Sequence, residues 1–127
     1  MTEHRTPLAR VRGLGSAKTG TAHFWHQRLT AVANVPLTIA FVLIVVALLG
    51  RNHAAAQQIL ATPLVAIVML LFIGSVTYHM RIGMQVIIED YVHDEIPKLI
   101  LIMLNTFFAV AVALASAYAI FKLSFGV

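Results

Sequence analysis

Three long apolar runs dominate the chain, and short polar connections separate them. The runs extend over residues 29–50, 63–88 and 99–121. A helix needs roughly 20 apolar residues to cross the hydrocarbon core of a bilayer, so each run is long enough to span a membrane. The pattern predicts an all-α membrane protein with three transmembrane helices. We assign residues 1–28 to a basic N-terminal arm and residues 29–127 to the three-helix transmembrane domain.

The composition supports the same class of protein. Of the 127 residues, 60% are hydrophobic and only 11% are charged, and the mean hydropathy is +0.88. These values lie outside the usual range of soluble domains. The chain has no cysteine, which excludes disulfides and cysteine-ligated iron–sulfur clusters within it. It also has no glycine-rich nucleotide loop and no nucleophile elbow, so we expect no catalysis by this chain alone.

The basic residues indicate how the helices are oriented. Five of them precede the first apolar run, whereas Arg51 is the only one in the first loop. The positive-inside rule therefore places the N-terminus in the cytoplasm and the C-terminus on the opposite side. The second loop then returns to the N-terminal side, and its four carboxylates have little weight in this rule. Because the basic residues flank apolar spans, we expect contact with the lipid bilayer and no binding of nucleic acid.

His79 is the only histidine inside an apolar run. It lies nine residues before Ile88, or roughly 14 Å along a helix, and therefore near the middle of the hydrocarbon core. An imidazole there needs a hydrogen-bond partner, a proton-relay role or a metal ion, and haem iron is one such metal. Helical periodicity places His79, Gly83 and Asp90 on one face. A glycine one turn from a ligand lets a flat group approach the helix, so this face favours a cofactor.

A bis-histidine haem site needs a second ligand that this helix does not supply. The other five histidines lie in the arm or the loops, far from the depth of His79. The second axial ligand is therefore expected from another subunit, or less readily from Met69 or Met103. The alternative that His79 only donates a hydrogen bond to a neighbouring helix stays open from the residues alone.

Two segments carry a resemblance to a known family. Residues 79–91 resemble the His-x-x-x-Gly-x-x-x-x-x-x-Asp-Tyr signature of the D-type hydrophobic membrane anchor of succinate dehydrogenase, respiratory complex II. Residues 26–31, His-Gln-Arg-Leu-Thr-Ala, are similar to the Arg-x-Thr-Ala segment that precedes the first span of that subunit. With three spans and a similar length, the resemblance covers nearly the whole chain.

The resemblance implies roles for individual residues. It implies that His79 is an axial ligand of haem b, shared with a C-type anchor, and that Arg28 lies near the haem propionates. It also implies that Tyr91 donates to a ubiquinone carbonyl and that Asp90 holds a basic residue of the C-type subunit. Gly83 belongs to the same motif, and we expect it to leave space for the haem. Arg81 does not match the usual family pattern.

The resulting hypothesis is a membrane anchor subunit of succinate:ubiquinone oxidoreductase, in electron transport and the tricarboxylic acid cycle. The resemblance implies a flavoprotein subunit with FAD and an iron–sulfur subunit with the clusters as further partners. The alternatives are an anchor or cytochrome b subunit of another quinone-linked respiratory complex, and a haem-free structural membrane subunit. The N-terminus lacks a clear transit peptide, which favours a multi-pass protein of the bacterial inner membrane over the mitochondrial one.

Overall fold

The computed structural model describes residues 4, 6–13 and 20–126. Part of the predicted arm (residues 1–3, 5 and 14–19) and Val127 lie outside the described residues. Five helices make up the described part: α1 (Pro7–Arg12), α2 (Gly20–Leu48), α3 (His53–Ala61), α4 (Pro63–Tyr91) and α5 (Glu95–Ser124). The described ranges contain no β-strand.

Three helices are long and apolar enough to cross a membrane, which confirms the predicted all-α transmembrane fold. These spans are Thr21–Leu48, Pro63–Tyr91 and Glu95–Ser124. A 29-residue helix is about 44 Å long, so each helix extends beyond a hydrocarbon core of about 30 Å. Accordingly, α2 begins nine residues before Leu29, where the apolar run starts. These nine residues are more polar than the apolar run that follows them.

Local capping explains where the shorter helices begin and end. In α1, the Thr6 side chain accepts a hydrogen bond from the Ala9 backbone N–H at 3.2 Å, and Gly13 ends the helix with φ +65°. In α3, the Asn52 side chain accepts from the Ala55 N–H at 2.9 Å. The first loop therefore contains a nine-residue helix that hydropathy did not predict. Pro63 then occupies the first turn of α4, where its missing N–H costs nothing.

The central helix of the fold is α4. In the described residues, α2 and α5 pack on α4 rather than against each other, and α3 contacts both α4 and α5 near one end. Few side chains are buried: the buried apolar set is Leu60, Ala66, Ile82, Ile88, Ala109 and Ile120. Most of the apolar surface of the three long helices therefore faces outward, where lipid or other subunits must cover it.

A polar ladder joins α2 to α4. It consists of three side-chain pairs that lie about one turn apart along α2: His26–Tyr78, Thr30–His79 and Asn34–Ser75, at 2.8, 2.9 and 2.6 Å. Beyond the ladder the contact becomes apolar, because the rings of Phe41 and Phe72 stack with centroids 4.4 Å apart. From Thr30–His79 through Asn34–Ser75 to Phe41–Phe72, the residue numbers rise along α2 and fall along α4, so the two helices are antiparallel.

Candidate cofactor site

A cavity of about 580 Å³ lies beside the polar ladder. Among the described residues, its walls come only from α2 and α4. They are His23, Phe24, Gln27, Arg28 and Ala31 from the first helix, and His79, Ile82 and Val86 from the second. The lining is mostly apolar, and its polar side chains are His23, Gln27, Arg28 and His79. The expectation that the other histidines lie far from the depth of His79 was therefore wrong: His23 lines the same cavity, and His26 pairs with Tyr78 at 2.8 Å. No other described element contributes to the walls, so the side away from α2 and α4 is open in the described part of the chain.

His79 is half-buried in the wall of this cavity. Its Nδ1 atom lies 2.9 Å from the hydroxyl of Thr30, across the α2–α4 contact. Its Nε2 atom has no hydrogen-bond partner among the described residues. One ring nitrogen is thus engaged by the protein, while the other remains available to a ligand.

Arg28 brings a positive charge to the same cavity. Its guanidinium carbon lies 4.9 Å from the centre of the Phe24 ring, which is cation–π geometry. The side chain is exposed, so it can turn towards an anionic group at the edge of the cavity. Beside it, the Oε1 atom of Gln27 is buried without a hydrogen-bond partner in the described part of the chain. The cavity therefore offers a cation and an unpaired acceptor on α2.

Gly83 lies where α2 and α4 meet rather than in the cavity wall. A Cβ atom added at Gly83 would lie 3.5 Å from Nε2 of Gln27, which is ordinary van der Waals contact. The residues of α4 that line the cavity are His79, Ile82 and Val86. The sequence predicted that the lack of a side chain at Gly83 leaves space for a flat group. The Gln27 amide partly fills that space.

Asp90 and Tyr91 lie at the carboxyl end of α4, outside the cavity. Asp90 follows Val86 by one turn, so it continues the face of α4 that lines the cavity. Both side chains are exposed, and Tyr91 is 79% exposed. Neither makes a side-chain hydrogen bond to another described residue. The structure therefore brings Arg28 and His79 together at the cavity and leaves the Asp-Tyr pair at the end of the same face.

Arg81 points towards α5, away from the cavity of His79. Its Nε atom lies 3.4 Å from the hydroxyl of Thr106, and its backbone carbonyl accepts a hydrogen bond from the Asn105 side chain at 2.9 Å. Together with Thr77 and Tyr78, Arg81 lines a second cavity of about 440 Å³ between α4 and α5. This arginine therefore takes part in the packing of the second helix pair.

The sequence assigned no role to Thr30, Gln27 or Phe24, although Thr30 is a position of the Arg-x-Thr-Ala motif. A signal for Thr30 was present, because polar residues recur every four positions at His26, Thr30 and Asn34 within α2. Residues at this spacing share one helix face. The chain alone does not say which helix this face meets.

Comparison with known proteins decides the family. The family model described as the succinate dehydrogenase/fumarate reductase transmembrane subunit matches residues 2–121. The chain belongs to this family. It is 31% identical over 121 residues to the succinate dehydrogenase hydrophobic membrane anchor subunit of Paracoccus denitrificans, covering 95% of this chain and 93% of the relative.

Other relatives of this anchor carry similar names. The hydrophobic membrane anchor subunit of succinate dehydrogenase from Rickettsia bellii (strain RML369-C) is 28% identical, over 94% of this chain and 95% of its own. The succinate dehydrogenase membrane anchor subunit of Reclinomonas americana is 32% identical, over 75% of this chain and 82% of its own. No solved structure matches. These findings confirm the resemblance to the D-type anchor of succinate dehydrogenase, so the chain is a membrane anchor subunit of that complex.

Proposed function

We propose that this anchor subunit ligates haem b through His79 and forms part of the ubiquinone-reduction site through Asp90 and Tyr91. The observation that carries the proposal is the imidazole of His79. One of its nitrogens is held by Thr30, and the ring lines an apolar cavity. A neutral imidazole with one free nitrogen is the form that ligates iron.

The residues around the cavity suit a haem group. Apolar side chains such as Ala31, Ile82 and Val86 provide a wall for a flat macrocycle. Arg28 can pair with a propionate carboxylate, since guanidinium and carboxylate form strong, charge-assisted hydrogen bonds. When bound, haem supplies one-electron redox chemistry that no side chain of this protein supplies. The protein's own contribution is to hold the iron ligand, balance the propionate charge and exclude water.

The one-sided cavity supports a shared site. Among the described residues, only α2 and α4 form its walls. The other histidine of the lining, His23, is exposed near the start of α2, whereas His79 is half-buried within an apolar run. A C-type anchor would then close the open side and supply the second axial ligand. We further propose that the flavoprotein subunit carries FAD and the iron–sulfur subunit carries the clusters that deliver electrons from succinate.

The end of α4 suits a quinone headgroup. The Tyr91 side chain has an apolar ring and a polar tip, and it lies at the end of a membrane-spanning helix. Its hydroxyl can donate to a quinone carbonyl, while the quinone tail remains in lipid. Asp90 would hold a basic residue of the C-type anchor beside the same headgroup. We place this end on the cytoplasmic side of a bacterial inner membrane, together with the N-terminus, because basic residues concentrate before the first span.

A reduced-minus-oxidised optical spectrum of the purified complex tests the haem assignment. The wild-type complex should show a b-type spectrum, and His79→Ala should weaken or abolish it while the subunit still inserts into the membrane. His53→Ala is the matched control, because His53 is exposed at the start of α3. A bis-histidine spectrum that is unchanged in His79→Ala would refute the ligand assignment. A wild-type complex without any haem would favour the alternative of a haem-free structural membrane subunit.

A further inference from the structure

The hydroxyl of Thr30 has three close neighbours and only one proton. It lies 2.7 Å from the backbone carbonyl of His26, 3.1 Å from the carbonyl of Gln27 and 2.9 Å from Nδ1 of His79. Two of these neighbours are carbonyl oxygens, which can only accept. The shortest contact is to one of them, so the hydroxyl proton is directed at the backbone of α2. The oxygen of Thr30 is then free to accept a hydrogen bond from His79.

We infer that Thr30 is a positioning residue that holds His79 as the tautomer with its proton on Nδ1, leaving Nε2 as the metal-binding atom. The inference deepens the haem ligation proposed above and rests on it. In this arrangement Nδ1–H donates to the Thr30 hydroxyl, which in turn donates to the carbonyl of His26. Every polar hydrogen in the chain of contacts has an acceptor within the protein.

The opposite tautomer suits the surroundings poorly. A proton on Nε2 would place the ring donor on the nitrogen that has no partner among the described residues, beside a largely apolar cavity. Nδ1 would then need the Thr30 proton, which would have to leave the carbonyl at 2.7 Å. A donor without an acceptor is destabilising in a largely apolar, half-buried site. The contacts of Thr30 therefore select a single tautomer.

This hydrogen bond should also influence the iron. A ligating histidine that donates its second N–H to an oxygen becomes more basic and keeps a fixed ring orientation, and loss of such a partner typically weakens metal binding by 10–100-fold. A more basic ligand favours the oxidised iron. Removal of the Thr30 hydroxyl should therefore loosen haem binding and favour the reduced state.

The test uses the whole succinate dehydrogenase complex with Thr30→Val, which keeps the shape of the side chain and removes the hydroxyl. We expect the ratio of reduced to oxidised haem at a fixed ambient potential to rise by about threefold to tenfold. Tenfold corresponds to 59 mV for one electron. We also expect haem to be lost at least tenfold more readily during purification or dilution. The electron paramagnetic resonance signal of the oxidised haem should change as the ring orientation relaxes.

Two further variants serve as controls. Thr30→Ser restores the hydroxyl and should restore the potential and the haem retention of the wild type. Thr38→Val makes the same chemical change two turns along α2, at an exposed position, and should have no effect. If Thr30→Val does not assemble, Thr30→Ala removes the same hydroxyl without filling its space and should give the same shift.

The two proposals fail in different ways. A hydroxyl-free variant with wild-type potential, haem retention and resonance signal would overturn the role of Thr30 while His79 remains the ligand. Equal shifts in Thr30→Ser and Thr30→Val would also overturn it, because the hydroxyl would then not be the cause. An unchanged haem spectrum in His79→Ala would instead overturn the proposed function.

Discussion

Replacing Tyr91 with phenylalanine tests the proposed quinone site without disturbing the chain. The Tyr91 side chain is 79% exposed, and its hydroxyl bonds to no other described residue. Phenylalanine keeps the ring, so the substitution removes no contact that stabilises the fold. Any loss of activity then reports on what the hydroxyl contacts in the assembled complex.

The expected loss follows from one hydrogen bond. A hydrogen bond to a neutral carbonyl contributes about 1 kcal/mol, and more if the partner is left buried and unpaired. Because about 1.4 kcal/mol corresponds to a tenfold change in rate, kcat/KM for ubiquinone should fall about fivefold, or tenfold and more with a buried partner. The assay is succinate-driven ubiquinone reduction, compared with succinate oxidation by a soluble artificial acceptor. The second activity should stay nearly unchanged, because the hydroxyl acts only at the quinone.

Two further variants are measured in the same assay. Tyr118→Phe is the matched control, since Tyr118 is also exposed but lies towards the opposite end of the membrane-spanning domain, on α5. Asp90→Asn should lower the same quinone activity by misplacing the partner's basic residue. Full quinone turnover and unchanged inhibitor sensitivity in both Tyr91→Phe and Asp90→Asn would refute the proposed quinone site. Asp90 and Tyr91 would then only end the helix α4.

Two other predictions concern the helices themselves. Asn34 and Ser75 share a 2.6 Å hydrogen bond. In a double-mutant cycle on the stability of the complex, Asn34→Leu and Ser75→Ala should therefore show a coupling energy of about 0.6 kcal/mol, and at most about 1.7 kcal/mol. Strictly additive effects would contradict a direct contact between the two side chains. Single cysteines introduced at positions 10 and 127 should react with an impermeant reagent from opposite sides of sealed vesicles, since the chain has no native thiol; equal access from one side would contradict the proposed orientation.

The three spans were predictable because lipid imposes a strong rule on sequence. A helix that crosses hydrocarbon must satisfy its backbone internally and present apolar side chains, and that requirement leaves long apolar runs. The rule does not apply beyond the hydrocarbon. It therefore missed the polar first turns of α2 from Gly20 and the whole of α3, which depend on local capping by residues such as Asn52.

The candidate site was predictable only in part. An imidazole inside an apolar run is unusual enough that His79 stood out, and the motif pointed to Arg28, Asp90 and Tyr91. Thr30 belongs to the Arg-x-Thr-Ala motif, but its role was not predicted, because threonine in a helix often bonds only to its own backbone. Its hydroxyl does this with His26, and the contact with His79 becomes visible only when α2 and α4 are placed side by side.

The polar ladder also fixes the register between α2 and α4. If α2 slid by one turn in one direction, His26 would move opposite Ile82; in the other direction, Asn34 would move opposite Leu71. Either slip leaves a polar side chain without its partner and against an apolar one. The loss is costlier for Asn34, which lies within the first apolar run, where no water compensates for the lost partner. Two helices inserted separately into the bilayer thus have one preferred alignment, which sets Arg28 and His79 at matching depths.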